Sequence, residues 1–145
     1  MGAVSSLDYW IEHQSITEDL LVIAGDNYFE AGLAGFVNKY DGEHSLVAVY
    51  DVGDKDKARQ FGVVKLDNRR IIDLQEKPAN PDSSMVATAC YIFPQRVFPM
   101  IRSYCRQDRR DKLGSLIARL IDIDEVYAHT FTEPWLDIGS EQDLL

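Results

Sequence analysis

Apolar and polar positions divide the chain into alternating helical and extended segments. Val4, Leu7, Trp10 and Ile11 recur at helical spacing and predict an amphipathic helix over residues 1–14. Leu20 to Ala24 form an unbroken apolar run ending on Gly25, the pattern of a central strand covered on both faces of a parallel sheet. Leu33, Phe36, Val37 and Tyr40 share one face of a helix over 30–40, which Asp41-Gly42 ends. Leu46 to Val52 is again almost wholly apolar, so strand, helix and strand predict a right-handed βαβ unit. Phe61 to Asp67 and Arg70 to Glu76 read as a hairpin about Asn68-Arg69, which makes the sheet mixed. Val86 to Phe93 predicts a buried strand stopped by Pro94, and residues 95–106 a helix with Pro99 in its first turn. Leu113, Leu116, Ile117, Leu120 and Ile121 mark another helix, Val126 to Phe131 a strand, and Pro134 to Ser140 a turn into a final helix. With no repeat or linker, residues 1–145 read as a single α/β domain.

Composition narrows the partners. The chain has 46% hydrophobic and 27% charged residues, ordinary for a globular protein, and a formal net charge of -9. That charge argues against nucleic acid and anionic membranes, and leaves phosphorylated ligands to a local cation or a metal. No apolar run is long enough to span a bilayer and no leader pattern is present, so a cytoplasmic location is expected. Cys90 and Cys105 fit two reduced thiols better than a disulfide framework or zinc site.

His13, His44 and His129 are scattered, no G-x-S-x-G is present, and neither G-x-G-x-x-G nor G-x-x-x-x-G-K-[ST] occurs. What remains are short signals at strand ends. Asp26 follows the first strand behind Gly25, which lets a ligand approach closely; Asp26 reads equally as an oxygen ligand for a divalent cation or as a helix cap. Glu76-Lys77 follows the hairpin, and Asp137 lies between Trp135 and Gly139. Asp26 and Asp137 could share one Mg²⁺, which would offset charge on phosphate oxygens. Glu76 could accept hydrogen bonds from sugar hydroxyls and Lys77 could meet a phosphate; taken alone, Glu-Lys-Pro reads more simply as a solvated pair.

The ordered set GDNYF (25–29), FGVV (61–64), EKP (76–78), TACYIF (88–93) and WLDIG (135–139) resembles the sugar-1-phosphate nucleotidyltransferases, most of all the glucose-1-phosphate thymidylyltransferase type. The resemblance implies a Rossmann-like, three-layer α/β/α fold with a mixed, mainly parallel central sheet, as in nucleotide-diphospho-sugar transferases. It implies joining of a nucleoside triphosphate (dTTP or UTP) to a sugar 1-phosphate, glucose 1-phosphate foremost, with release of pyrophosphate and help from Mg²⁺. On this likeness Asp26 and Asp137 are the catalytic metal ligands. Glu76 and Lys77 contact the sugar and its phosphate, and Tyr91 lies against the sugar. Gly25, Thr88, Ala89 and Trp135 complete the substrate-binding set, with Ala89 standing where glycine is frequent.

One family element has no counterpart in these 145 residues: the glycine-rich G-x-G-T-R-L loop and the lysine segment that hold the triphosphate. The expectation is therefore the C-terminal larger part of a nucleotidyltransferase domain, truncated at the N-terminus and catalytically feeble by itself. A second class stays open: a non-catalytic sugar-phosphate-binding or assembly module, whose exposed sheet edge would favour a homo-oligomer.

Overall fold

Helices α1 (Ala3–His13), α2 (Ala34–Asn38), α3 (Lys55–Ala58), α4 (Phe98–Arg106) and α5 (Leu113–Ile123) alternate with eight strands in a computed structural model. The strands are β1 (Leu20–Ile23), β2 (Asn27–Phe29), β3 (Ser45–Asp51), β4 (Gly62–Asp67), β5 (Arg70–Glu76), β6 (Met85–Phe93), β7 (Val126–Phe131) and β8 (Trp135–Asp137). The structure describes residues 2–25, 27–30, 32–107 and 112–137, with 136 and 137 described as backbone only.

Six strands form one sheet in the order β1-β6-β3-β7-β5-β4, and β2 and β8 form a separate antiparallel ribbon. Among the described pairings only β3 with β7 is parallel; β6 runs antiparallel to both β1 and β3. The directions that follow put β1, β3, β7 and β4 one way and β6 and β5 the other, so the sheet is mixed, as expected. The first strand–helix–strand unit is not a pair of hydrogen-bonded neighbours, because β6 is inserted between β1 and β3.

The first strand also sits differently from its expected place. Among the described residues β1 pairs only with β6, at the sheet edge, and its side chains alternate between half-buried and exposed. Leu20 and Val22 pack on the main core, whereas Leu21 and Ile23 are 44% and 41% exposed. An apolar run conceals this alternation because both faces carry the same residue type.

Helices cover both sheet faces. Val4, Leu7 and Ile11 of α1, Ile101 and Tyr104 of α4, and Leu116, Ile117 and Leu120 of α5 bury one side of the sheet. On the other side Phe36 of α2 meets Leu46, Ala48, Cys90 and Ile92. A third cluster joins Trp135 to Ala58, Val63 and Val86. Local signals are met where the chain turns. Asn68 takes a left-handed φ of 56° at the hairpin tip, Pro99 stands in the first turn of α4, and Asp54 caps α3 through the Asp56 amide at 2.8 Å. Cys90 and Cys105 are both free, and burial pushes the Cys90 thiol up to about 11. No helix among the described residues is long and apolar enough to cross a membrane.

The loop between α2 and β3 is tied by charge. Gly42, at φ 80°, turns the chain so that the amides of Glu43 and His44 both donate to Asp41 Oδ1 at 2.8 Å. The His44 ring contacts Asp41 Oδ2 at 2.7 Å and Glu125 at 3.2 Å. Burial, the largest influence, opposes ionisation of Asp41, but the bonds from His44 and the two amides outweigh it and hold the carboxyl at about 2. Its folded value lies below the ordinary 3.8, so its stabilisation is full above that value and lost as the pH falls toward 2. Asp41→Asn is therefore expected to flatten the acid limb of stability; urea midpoints from pH 5 down to 2 should fall less steeply than in the parent. Identical slopes would remove Asp41 from the account.

Candidate functional site

Strand alternation on β6 sets the floor of a cleft. Ala87, Ala89 and Tyr91 share one face of the strand, and Thr88, Cys90 and Ile92 the other. The first three line a cavity of about 240 Å³ together with Ala24 and Asn27, Phe61 and Gly62, Leu74 and Glu76, Gly114 and Trp135. Residues from the ends of β1, β5 and α5 and from the β2–β8 ribbon thus meet over β6.

The ribbon forms one wall. Its register pairs Asn27 with Asp137 and Phe29 with Trp135. Asn27 Oδ1 accepts from Trp135 Nε1 at 2.8 Å and from the Ala89 amide at 3.4 Å, so one side chain ties ribbon to cleft floor. Trp135 is 7% exposed and packs on Phe61 and Tyr50, with ring centroids 5.3 and 5.8 Å away.

The opposite wall is acidic. Glu76 ends β5, and its Oε1 lies 2.8 Å from where a Cβ would stand on either Gly62 or Gly114. Burial, and then the Glu76 charge, push the Tyr91 phenol well above its ordinary range, so Tyr91 stays a neutral hydroxyl facing a carboxylate. Glu76 is exposed, and its carboxylate lies at the mouth of the cleft.

Of the sequence-predicted residues, Glu76, Ala89, Tyr91 and Trp135 come together in the cleft. Gly25 lies just beyond the end of β1, exposed, and an added Cβ would meet nothing within 4 Å among the described residues, so the protein itself does not require glycine there. Thr88 does not reach the cleft. It is buried on the reverse face of β6, and its hydroxyl donates to the Ala48 carbonyl at 2.8 Å. Thr88 and Ala89 thus point to opposite faces of β6, and only Ala89 lines the cleft, which corrects their pairing in one pocket. Lys77 is exposed and outside the cleft lining, in a left-handed conformation (φ 46°) with its amide bonded to the Phe61 carbonyl at 2.9 Å. Such a backbone costs a non-glycine residue about 1 kcal/mol or more and turns the chain sharply out of β5. Asp26 lies outside the described residues; Asp137 is placed by its backbone alone.

Asn27, Phe61, Gly62, Ala87 and Gly114 line the cleft without having been singled out. Asn27 and Gly62 lay inside motifs already quoted, GDNYF and FGVV, and reading those motifs position by position finds them. Gly114 has only one sequence signal, a poor helix former at the start of a helical pattern.

A family model described as nucleotidyl transferase matches residues 2–145. The chain belongs to the nucleotidyl transferase family. It is 33% identical over 132 residues to the bifunctional protein GlmU of Methanococcus aeolicus, covering 90% of this chain and 31% of that protein. The corresponding protein of Methanocaldococcus jannaschii is 35% identical over 133 residues, with the same two coverages, 90% and 31%. Among solved structures, a protein from Bacillus anthracis described as a glucose-1-phosphate thymidylyltransferase, in complex with a sucrose, superposes with a TM-score of 0.81. It shares 25% identity, and the match covers 99% of this chain and 58% of that one. The mixed α/β sheet described above is therefore the nucleotidyl transferase fold, and the chain spans 31% of the length of the two curated relatives.

Proposed function

We propose that these residues form the sugar-phosphate side of a nucleotidyl transfer site. The reaction joins a nucleoside triphosphate, dTTP or UTP, to a sugar 1-phosphate, foremost glucose 1-phosphate, and releases pyrophosphate. One observation carries this reading: Glu76, Tyr91, Asn27 and Trp135, far apart in sequence, converge on a cleft of about 240 Å³ with an exposed carboxylate on one wall and an aromatic ribbon on the other.

A pyranose suits these walls. Glu76 accepts hydrogen bonds from ring hydroxyls, and Tyr91, only 4% exposed, closes the floor beneath the sugar. Ala89 keeps the floor shallow while its amide stays bonded to Asn27. Lys77, next to Glu76, supplies positive charge at the cleft margin for the phosphate. The ribbon excludes water from one side, and the Asn27–Trp135 bond keeps that wall in place.

Asp26 and Asp137 are the residues that would hold Mg²⁺. Two carboxylates are the hard oxygen donors this ion prefers. The ribbon register opposes Asn27 and Asp137, and Asp26 is Asn27's neighbour in the sequence. When bound, the ion offsets negative charge on the phosphoryl oxygens.

Titration calorimetry with glucose 1-phosphate, with and without Mg²⁺, tests the reading. Asp26→Asn and Asp137→Asn are each expected to weaken the Mg²⁺-dependent part of binding about tenfold or more. Binding by both variants equal to the parent would remove the metal assignment. Pyrophosphate release with dTTP or UTP separates a transferase from a binding module; release by the 145 residues alone is expected to be low, because no G-x-G-T-R-L loop is among them.

A further inference from the structure

Resting on the sugar-phosphate reading above, we propose that Gly114 is a positioning residue: its missing side chain leaves the slot in which the Glu76 carboxylate faces the cleft.

Glu76 stands at the end of β5, and the slot around its Oε1 has two sides. Gly62 of β4 forms one and Gly114, the second residue of α5, forms the other. A Cβ on Gly114 would fall 2.8 Å from Glu76 Oε1, 3.0 Å from its Cδ and 3.4 Å from its Cγ, so it would meet the side chain along its whole outer half. No backbone requirement explains glycine at 114. It has no positive φ, and it lies in a helix, where alanine is the better residue. Among the described residues the three atoms nearest to a Cβ there all belong to Glu76.

A second groove lies beside the slot. On the α5 side of Glu76 and Gly114 lies a groove of about 380 Å³ walled by Ser115 and Arg119. Leu74, Glu76 and Gly114 belong to both spaces. A side chain at 114 would displace the flexible Glu76 carboxylate from its present position at little cost to the fold, because the displaced atoms are the far end of a long side chain. The substitution therefore acts on recognition and spares stability.

Calorimetry with glucose 1-phosphate and Mg²⁺ on the 145-residue chain, for the parent, Gly114→Ala, Glu76→Gln and the double variant, tests this. Gly114→Ala should bind about tenfold more weakly or worse, with a thermal midpoint equal to or above the parent's. In the Glu76→Gln background the same change should have no further effect, since Gly114 acts through Glu76. Gly114→Ala binding like the parent while Glu76→Gln is weakened overturns the proposal, as does full additivity of the two or a lowered thermal midpoint. Glu76→Gln binding like the parent, or no binding by the parent itself, overturns the sugar-phosphate reading and this proposal with it.

Discussion

Replacing Trp135 with alanine is expected to lower the free energy of unfolding by about 3–5 kcal/mol, the range for removing a buried large aromatic. Single domains have only about 5–15 kcal/mol in total, so this one change takes a large share of the margin. The indole is 7% exposed and fills the space between Ala58, Val63 and Val86, with Phe61 and Tyr50 against its ring. No neighbour is placed to close that gap, because the surrounding rings are themselves anchored on β3 and on the turn before β4. Trp135→Phe separates the two contributions. It keeps an aromatic ring and loses the Nε1–H donated to Asn27 at 2.8 Å, which costs about 1 kcal/mol for a single hydrogen bond. Urea midpoints of the two variants decide the matter: equal losses would mean that the ring packing contributes little and the ribbon is held some other way.

Glu76→Gln is expected to have the largest effect on ligand affinity and almost none on the fold. Hydrogen bonds from sugar hydroxyls to a charged acceptor are worth about 1.5–3 kcal/mol, so glucose 1-phosphate should bind roughly 10- to 100-fold more weakly. Stability should stay within about 0.5 kcal/mol, as for an exposed side chain. The variant carries its own internal check. Glu76 contributes to holding the Tyr91 phenol high, after burial, so removing its charge should bring that phenol down in a spectroscopic alkaline titration. Unchanged affinity with a lowered Tyr91 titration would show that the carboxylate was removed and the sugar never met it.

Much of this arrangement was legible in the residues. The hairpin about Asn68-Arg69 and the buried faces of α1, α4 and α5, save Trp10 at 54% exposure, follow from pattern, and the gathering of Glu76, Ala89, Tyr91 and Trp135 follows from the family resemblance. Each is either local or carried by a fixed sequence signature. The misplaced parts depend on which partner a segment finds. Leu20 to Ile23 could not be told from a covered strand, because every position is apolar whichever way it faces. Residues 27–29 and 135–137 are too short to show a period, and each is a strand only because the other is present. Thr88 is a different case: alternation along β6 already separates it from Ala89 and Tyr91, and the motif overrode that simple rule. Gly114 was invisible because the reason for it is a side chain 38 positions earlier.

The bond between Asn27 and Trp135 closes a loop of 108 residues. Closing a loop of that length surrenders chain entropy before the contact returns anything. The ribbon wall of the cleft is complete only once residues 27–29 and 135–137 have met, so it can form no faster than that long-range closure.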